Sequence, residues 1–134
     1  MGEALIERAR GQRVKLFQPV TPEQLAKIEQ NDCRAFSSDT AGKTYFYPKL
    51  HSNYAENIAK NSFSPRFGSS YVVEFEVDAE YINQFPIRSI GYDEHQEYCV
   101  DVSMLADLNS HIRGRIAVKS CFQDTVKSAI QMVS

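Results

Sequence analysis

Residues 71–77, Tyr-Val-Val-Glu-Phe-Glu-Val, carry the strongest secondary-structure signal in the chain and decide its fold class. Val73 and Phe75 alternate with Glu74 and Glu76, so apolar and charged side chains point to opposite sides of an extended backbone. This period of two predicts a β-strand with one buried face and one open face. We therefore expect a sheet with a packed layer on at least one side.

The segments on either side of this strand predict alternating helices and strands. A strand over 14–17, which we expect Pro19 to stop, precedes a helix over 22–31, where Thr21 and Gln24 have the spacing of a capping box. The remaining strands are predicted at 44–47, 87–90, 98–102 and 114–118. The remaining helices are predicted at 3–10, 49–61, 79–85, 104–108 and 122–133. A Ser-rich stretch over 62–70 is predicted to be a loop.

The connections between these elements are too irregular for a doubly wound parallel sheet. The order of elements predicts an α+β protein with a mixed, mainly antiparallel sheet and helices packed on it. A length of 134 residues indicates a single domain over residues 1–134.

Composition narrows the classes of function. Hydrophobic residues make up 43% of the chain and charged residues 24%. Because the net charge is −2, the chain lacks the excess of basic residues that binds phosphates, and we expect no nucleic-acid partner. No run approaches the roughly 20 apolar residues of a membrane helix, and the N-terminus lacks the apolar core of a signal peptide. We expect a cytoplasmic protein with no membrane partner.

The cysteines and histidines show no ligand spacing. The three cysteines form no CxxC pair and are expected to be reduced and buried: Cys33, Cys99 and Cys121. The three histidines are far apart in the sequence: His51, His95 and His111. We therefore expect no metal site.

Two clusters have side chains suited to chemistry. Residues 93–98, Asp-Glu-His-Gln-Glu-Tyr, precede an apolar strand, and they form either an acid–base site around Glu97 or a solvated loop. The aromatic residues Tyr45, Tyr47 and Tyr54 either stack on a flat ligand or build the core. Lys49 is expected on the exposed side of the helix over 49–61.

Two arginines form a third candidate group. Arg113 and Arg115 either contact a phosphate or lie on an exposed strand face.

In their order, several segments resemble the ADP-ribosyltransferase-like fold. The matching segments are the strand, turn and helix over 16–25, the aromatic strand over 43–47 with the helix around 54–59, the strand over 72–77, and Glu97-Tyr98-Cys99-Val100. The resemblance spans about residues 14–118 and concerns the layout of these segments.

The resemblance implies NAD as a cofactor and cleavage of its nicotinamide–ribose bond through a cation-like transition state. Glu97 would bind a ribose hydroxyl and stabilise the developing positive charge. Tyr45, Tyr47 and Tyr54 would flank the nicotinamide. Gln18 stands where the family has an NAD-binding Arg or His, and the family's Ser-Thr-Ser pattern is absent.

Three functional hypotheses follow. Because the catalytic set is incomplete, the first is a non-catalytic or divergent interaction module on this scaffold, with an unidentified protein partner. The alternative is an NAD-dependent ADP-ribosyltransferase, or a related toxin or effector domain, that uses Glu97. The third is a small nuclease-type toxin with His95 or His111 as the acid–base group.

Overall fold

The computed structural model of the chain describes residues 11–38, 44–91 and 94–124. Its strands are β1 (Arg13–Val20), β2 (Tyr45–Phe46), β3 (Ser69–Asp78), β4 (Ile87–Ser89), β5 (Gln96–Tyr98), β6 (Val100–Asp101) and β7 (Ile112–Gln123). Its α-helices are α1 (Pro22–Gln30), α2 (Ser52–Ile58), α3 (Ser64–Phe67), α4 (Ala79–Ile82) and α5 (Leu105–Ser110). A π-helix, Ala59–Phe63, joins α2 to α3, and a 3₁₀-helix, Val102–Met104, precedes α5.

The strand β3 is the centre of a three-stranded antiparallel sheet in the order β1-β3-β7. Two further antiparallel pairs, β2 with β6 and β4 with β5, complete the described strands. Helices and antiparallel strands thus follow one another irregularly along the chain, and the predicted α+β class with packed helices is confirmed.

The alternation within 71–77 determines which side of β3 is packed. Val73, Phe75 and Val77 are buried in the main core, whereas Glu74 and Glu76 are only half-buried on the other face. The ring of Phe36 lies over this core, with its centroid 4.8 Å from that of Phe75 in an edge-on arrangement.

The start of α1 has the capping box that its sequence predicts. The Thr21 hydroxyl accepts a hydrogen bond from the Gln24 amide at 3.1 Å, and the Gln24 side chain accepts one from the Thr21 amide at 3.0 Å. These bonds satisfy backbone donors that a helix start otherwise leaves without an intrahelical partner.

A single residue, Lys49, connects the three-stranded sheet to β5. Its amide donates to the Phe17 carbonyl at 2.8 Å, and its carbonyl accepts from the Phe17 amide at 2.9 Å. On its other side, the Pro48 carbonyl accepts from Tyr98 and the Leu50 amide donates to Gln96. The short segment 48–50 therefore lies between β1 and β5.

The prediction that Pro19 stops the first strand is wrong, because β1 runs through Pro19 to Val20. The Phe17 amide points away from β3, toward Lys49. Amides two residues apart in a strand point the same way. The amide hydrogen that Pro19 lacks would therefore point away from β3, so the proline removes no hydrogen bond between β1 and β3.

The predicted loop over 62–70 is also wrong, because helical backbone continues through Phe67 and β3 already begins at Ser69. Side-chain bonds stabilise this turn: the Ser64 and Ser70 hydroxyls lie 2.7 Å apart, and the Ser70 hydroxyl donates to the Ala59 carbonyl. The serine hydroxyls therefore form hydrogen bonds within the folded turn, rather than with solvent as the predicted loop would require.

Several predicted boundaries move. The strand over 98–102 is two short strands, β5 and β6, and Glu97 lies within β5 rather than before a strand. The strand over 114–118 extends over Ile112–Gln123, so Phe122 belongs to β7 and does not begin a helix. Residues 125–133 of that predicted helix and the whole of the predicted helix over 3–10 lie outside the described residues.

Replacing a core aromatic ring tests the packing on β3. Phe75→Ala should lower the free energy of unfolding by about 3–5 kcal/mol, because the buried ring leaves a cavity. Phe67→Ala is the matched control, since that ring is 45% exposed, and its loss should be well under half as large. Urea unfolding followed by circular dichroism measures both, and equal losses would contradict the assignment of the core.

Candidate functional site

Four residues on neighbouring strands form one row across the sheet. Phe17 pairs with Lys49, Lys49 pairs with Glu97, and Glu97 pairs with Arg88 on β4. Residues paired directly across antiparallel strands have their side chains on the same face. The register therefore places Glu97 between two cations.

Both oxygens of the Glu97 carboxylate have partners. The Tyr54 hydroxyl donates to Oε1 at 3.1 Å, and Lys49 Nζ lies 3.3 Å from the same oxygen. Arg88 contacts Oε2 through both Nε and Nη2, each at 2.7 Å. Glu97 itself is only 2% exposed. We call these four side chains, Lys49, Tyr54, Arg88 and Glu97, the ionic cluster.

Burial and charge shift the ionisation of the cluster. Burial lowers the pKa of Lys49, although Glu97 opposes this effect by attracting the ammonium group. Burial, together with the Glu97 carboxylate, raises the pKa of Tyr54 to about 12. The hydrogen bond to Glu97 raises the pKa of the Arg88 guanidinium. The Tyr54 hydroxyl therefore remains a proton donor to Glu97 at neutral pH.

The predicted aromatic residues lie around the ionic cluster. The Tyr54 ring stacks on the His95 ring, with centroids 4.6 Å apart. The Tyr47 ring lies 4.1 Å from the guanidinium carbon of Arg88, close enough for a cation–π interaction. Tyr45 is further out, with its ring centroid 5.8 Å from that of Tyr47.

Gln18 does not join these residues. Side chains alternate along β1, so Gln18 points to the face opposite Phe17, and it pairs with Val73 of the main core. It is buried, and its side-chain oxygen has no hydrogen-bond partner among the described residues. Of the residues predicted for the site, the structure groups Glu97, Tyr54, Tyr47 and Tyr45, and it separates Gln18.

The two cations of the cluster were not predicted. Lys49 was expected on an exposed helix face, and this is wrong: α2 begins only at Ser52, and Lys49 is 6% exposed. Arg88 follows Ile87 in a short strand with no motif around it. Lys49 and Arg88 come close to Glu97 only because segment 48–50 and β4 both pair with β5. The spacing of these residues in the sequence therefore could not predict the ionic cluster.

The residues of the nuclease hypothesis fall into two groups, with His95 in one and His111 and Arg113 in the other. His95 stacks on Tyr54 in the ionic cluster, whereas His111 stacks on Tyr81 near the start of β7. Arg113 binds Asp78, and Arg115 Nη2 lies 3.6 Å from an Asp32 oxygen. The histidines and arginines therefore do not form one acid–base and phosphate site around His95.

Comparison of the chain with protein-family models, curated proteins and solved structures gives no match. Within residues 11–38, 44–91 and 94–124, no group of three or more His, Cys, Asp or Glu side chains is placed to hold a metal ion. In the same residues, no helix has both the length and the apolar character of a membrane span.

Removing the central charge tests the ionic cluster. Glu97→Gln should lower the free energy of unfolding by about 3–5 kcal/mol, because it leaves Lys49 buried beside Arg88 without a counter-charge. Glu76→Gln breaks the exposed ion pair with Arg13, at 3.4 Å, and should cost less than about 1 kcal/mol. Denaturant unfolding compares the two variants. Similar small losses would show that Glu97 does not stabilise the fold.

Alkaline titration tests the Tyr54 hydrogen bond. Unfolded Tyr54 loses its proton near pH 10, whereas folded Tyr54 keeps it to about pH 12. Its contribution to stability is therefore present below pH 10 and is lost as the pH rises to about 12. Plots of unfolding free energy against pH for wild type and Tyr54→Phe should converge over this range. Parallel plots would contradict the interaction.

Proposed function

We propose that this domain acts by binding a protein partner, as a non-catalytic or divergent interaction module on an ADP-ribosyltransferase-like scaffold. One observation supports the proposal most strongly: the carboxylate of Glu97 is buried and both of its oxygens are occupied. A ribose hydroxyl could reach it only by displacing Tyr54 or Arg88. Gln18, the position for NAD binding, faces the opposite side of the sheet.

The ionic cluster has a structural role in this proposal. An unpaired buried charge costs several kcal/mol, so Lys49 and Glu97 each need the other in order to remain buried and charged. A carboxylate that neutralises one buried ammonium and one guanidinium has little remaining negative charge with which to stabilise a cation-like transition state.

The free thiols support the proposed cytoplasmic location. Cys33, Cys99 and Cys121 are all free, although the expectation that they are buried is wrong, since Cys33 and Cys99 are only partly buried and Cys121 is exposed. Unpaired cysteines are typical of proteins in a reducing compartment.

The alternative is an NAD-dependent ADP-ribosyltransferase, and the grouping of Glu97 with Tyr47 and Tyr54 favours it. An aromatic pair beside a carboxylate is the arrangement that the family resemblance implies for nicotinamide and ribose. In this alternative, Arg88 would have to leave Oε2 before NAD binds. Arg88 is the more accessible of the two cations, since its side chain is 47% exposed.

An NAD turnover assay separates the two functions. Wild-type protein should release no nicotinamide above the buffer background. Arg88→Ala, which uncovers Oε2 and keeps the carboxylate, should also release none, and circular dichroism should first confirm that it is folded.

The proposal would be overturned if wild type or Arg88→Ala releases nicotinamide and Glu97→Gln abolishes that release. The Glu97→Gln variant must be folded at the assay temperature for this comparison. Glu23→Gln is a suitable control, because it makes the same change of charge on α1, where the Glu23 side chain is 82% exposed.

A further inference from the structure

A cavity of about 500 Å³ lies where β1 and β7 begin, away from the ionic cluster. Its lining residues come from three places in the chain: Gly11 and Gln12 before β1, Asp78, Glu80 and Tyr81 at the end of β3 and in α4, and His111 and Arg113 at β7. The proposed function above gives these residues no role.

An aromatic pair forms one wall of the cavity. The rings of Tyr81 and His111 are nearly parallel, with an interplanar angle of 9° and centroids 3.8 Å apart. Tyr81 is buried and covers one face of the imidazole, whereas His111 is only partly buried and also lines the cavity. A flat group can stack there.

The hydrogen bonds of His111 set its tautomer. Nδ1 lies 2.9 Å from the Asp107 carbonyl oxygen, which can only accept, so Nδ1 carries the hydrogen.

The Tyr81 hydroxyl is buried, and the Asp107 carboxylate is its hydrogen-bonding neighbour. Burial, and then the nearby Asp107 carboxylate, raise the pKa of Tyr81. The hydroxyl is therefore a neutral group at neutral pH.

The charges of the lining do not cancel. Arg113 donates to both oxygens of Asp78, through Nε at 2.9 Å and Nη2 at 2.5 Å, so these two residues neutralise each other. This ion pair also lowers the pKa of Asp78, which keeps the carboxylate charged. Glu80 is exposed and forms no ion pair among the described residues. Among the described residues, the lining thus holds one carboxylate without an ion-pair partner beside the Tyr81–His111 pair.

We infer that this cavity binds the guanidinium group of an arginine side chain from a protein partner. A guanidinium is planar and cationic, stacks on aromatic rings and donates several hydrogen bonds in one plane. The stacked Tyr81–His111 pair provides the aromatic surface, and Glu80 provides the carboxylate. The inference rests on the proposed binding function, because it names the chemistry of the partner's contact.

The test uses the full chain labelled with nitrogen-15 and N-acetyl-arginine methylamide as the probe. Amide shifts at Glu80, His111 and Arg113 should move and saturate as the probe is added. The citrulline derivative, which has the same shape without the charge, should leave them unchanged.

Matched variants locate the charge that binds the probe. Glu80→Gln should weaken binding by about tenfold, which corresponds to loss of one charge-assisted hydrogen bond. Glu23→Gln makes the same change of charge on α1, where the Glu23 side chain is 82% exposed, and should bind as wild type does. The spectra themselves show whether each variant is folded.

Three results would overturn the inference: equal binding of the citrulline derivative, unchanged affinity in Glu80→Gln, or shifts at these amides caused by methyl phosphate instead of the arginine probe. The last result would indicate an anion site at Arg113. None of them involves NAD turnover, so failure here is distinguishable from failure of the proposed function.

Discussion

The pairing of Lys49 with Phe17 and Glu97 is the constraint on which the rest of the structure depends. The Lys49 backbone bonds to β1, and the flanking residues bond to β5, so one short segment joins two groups of strands. The ammonium group of the same residue is buried against the Glu97 carboxylate. Because each buried charge is tolerated only when it is paired, correct strand register and correct charge pairing require each other.

This constraint also limits the chemistry of Glu97. A carboxylate that acts on a substrate needs an accessible oxygen, whereas Tyr54, Lys49 and Arg88 occupy both oxygens here. Open space occurs elsewhere, at the cavity beside His111 that Glu80 also lines. The ionic cluster and this cavity are therefore separate places in the molecule, and the proposed binding function rests on the occupied oxygens of Glu97.

Prediction from the sequence was most successful where the signal is local. The strand around Phe75 and the capping box at Thr21 depend on residues within one strand or one helical turn, and both are confirmed. It failed at Pro19 and at Ser64. At Pro19, the missing amide hydrogen would point away from β3, so the strand continues through the proline. Near Ser64, the Ser70 hydroxyl donates to the Ala59 carbonyl and stabilises helical backbone that the residue types alone do not favour.

The sequence by itself determined the α+β class and the buried side of β3, because periodicity is a property of short segments. The grouping of Tyr45, Tyr47 and Tyr54 with Glu97 came from the family resemblance. Only the tertiary structure decided that Lys49 is buried, that Arg88 completes the ionic cluster, and that Gln18 lies on the other face. The physical reason is register. Which side chains become neighbours across strands depends on hydrogen bonds between segments far apart in the chain, and no local pattern encodes that pairing.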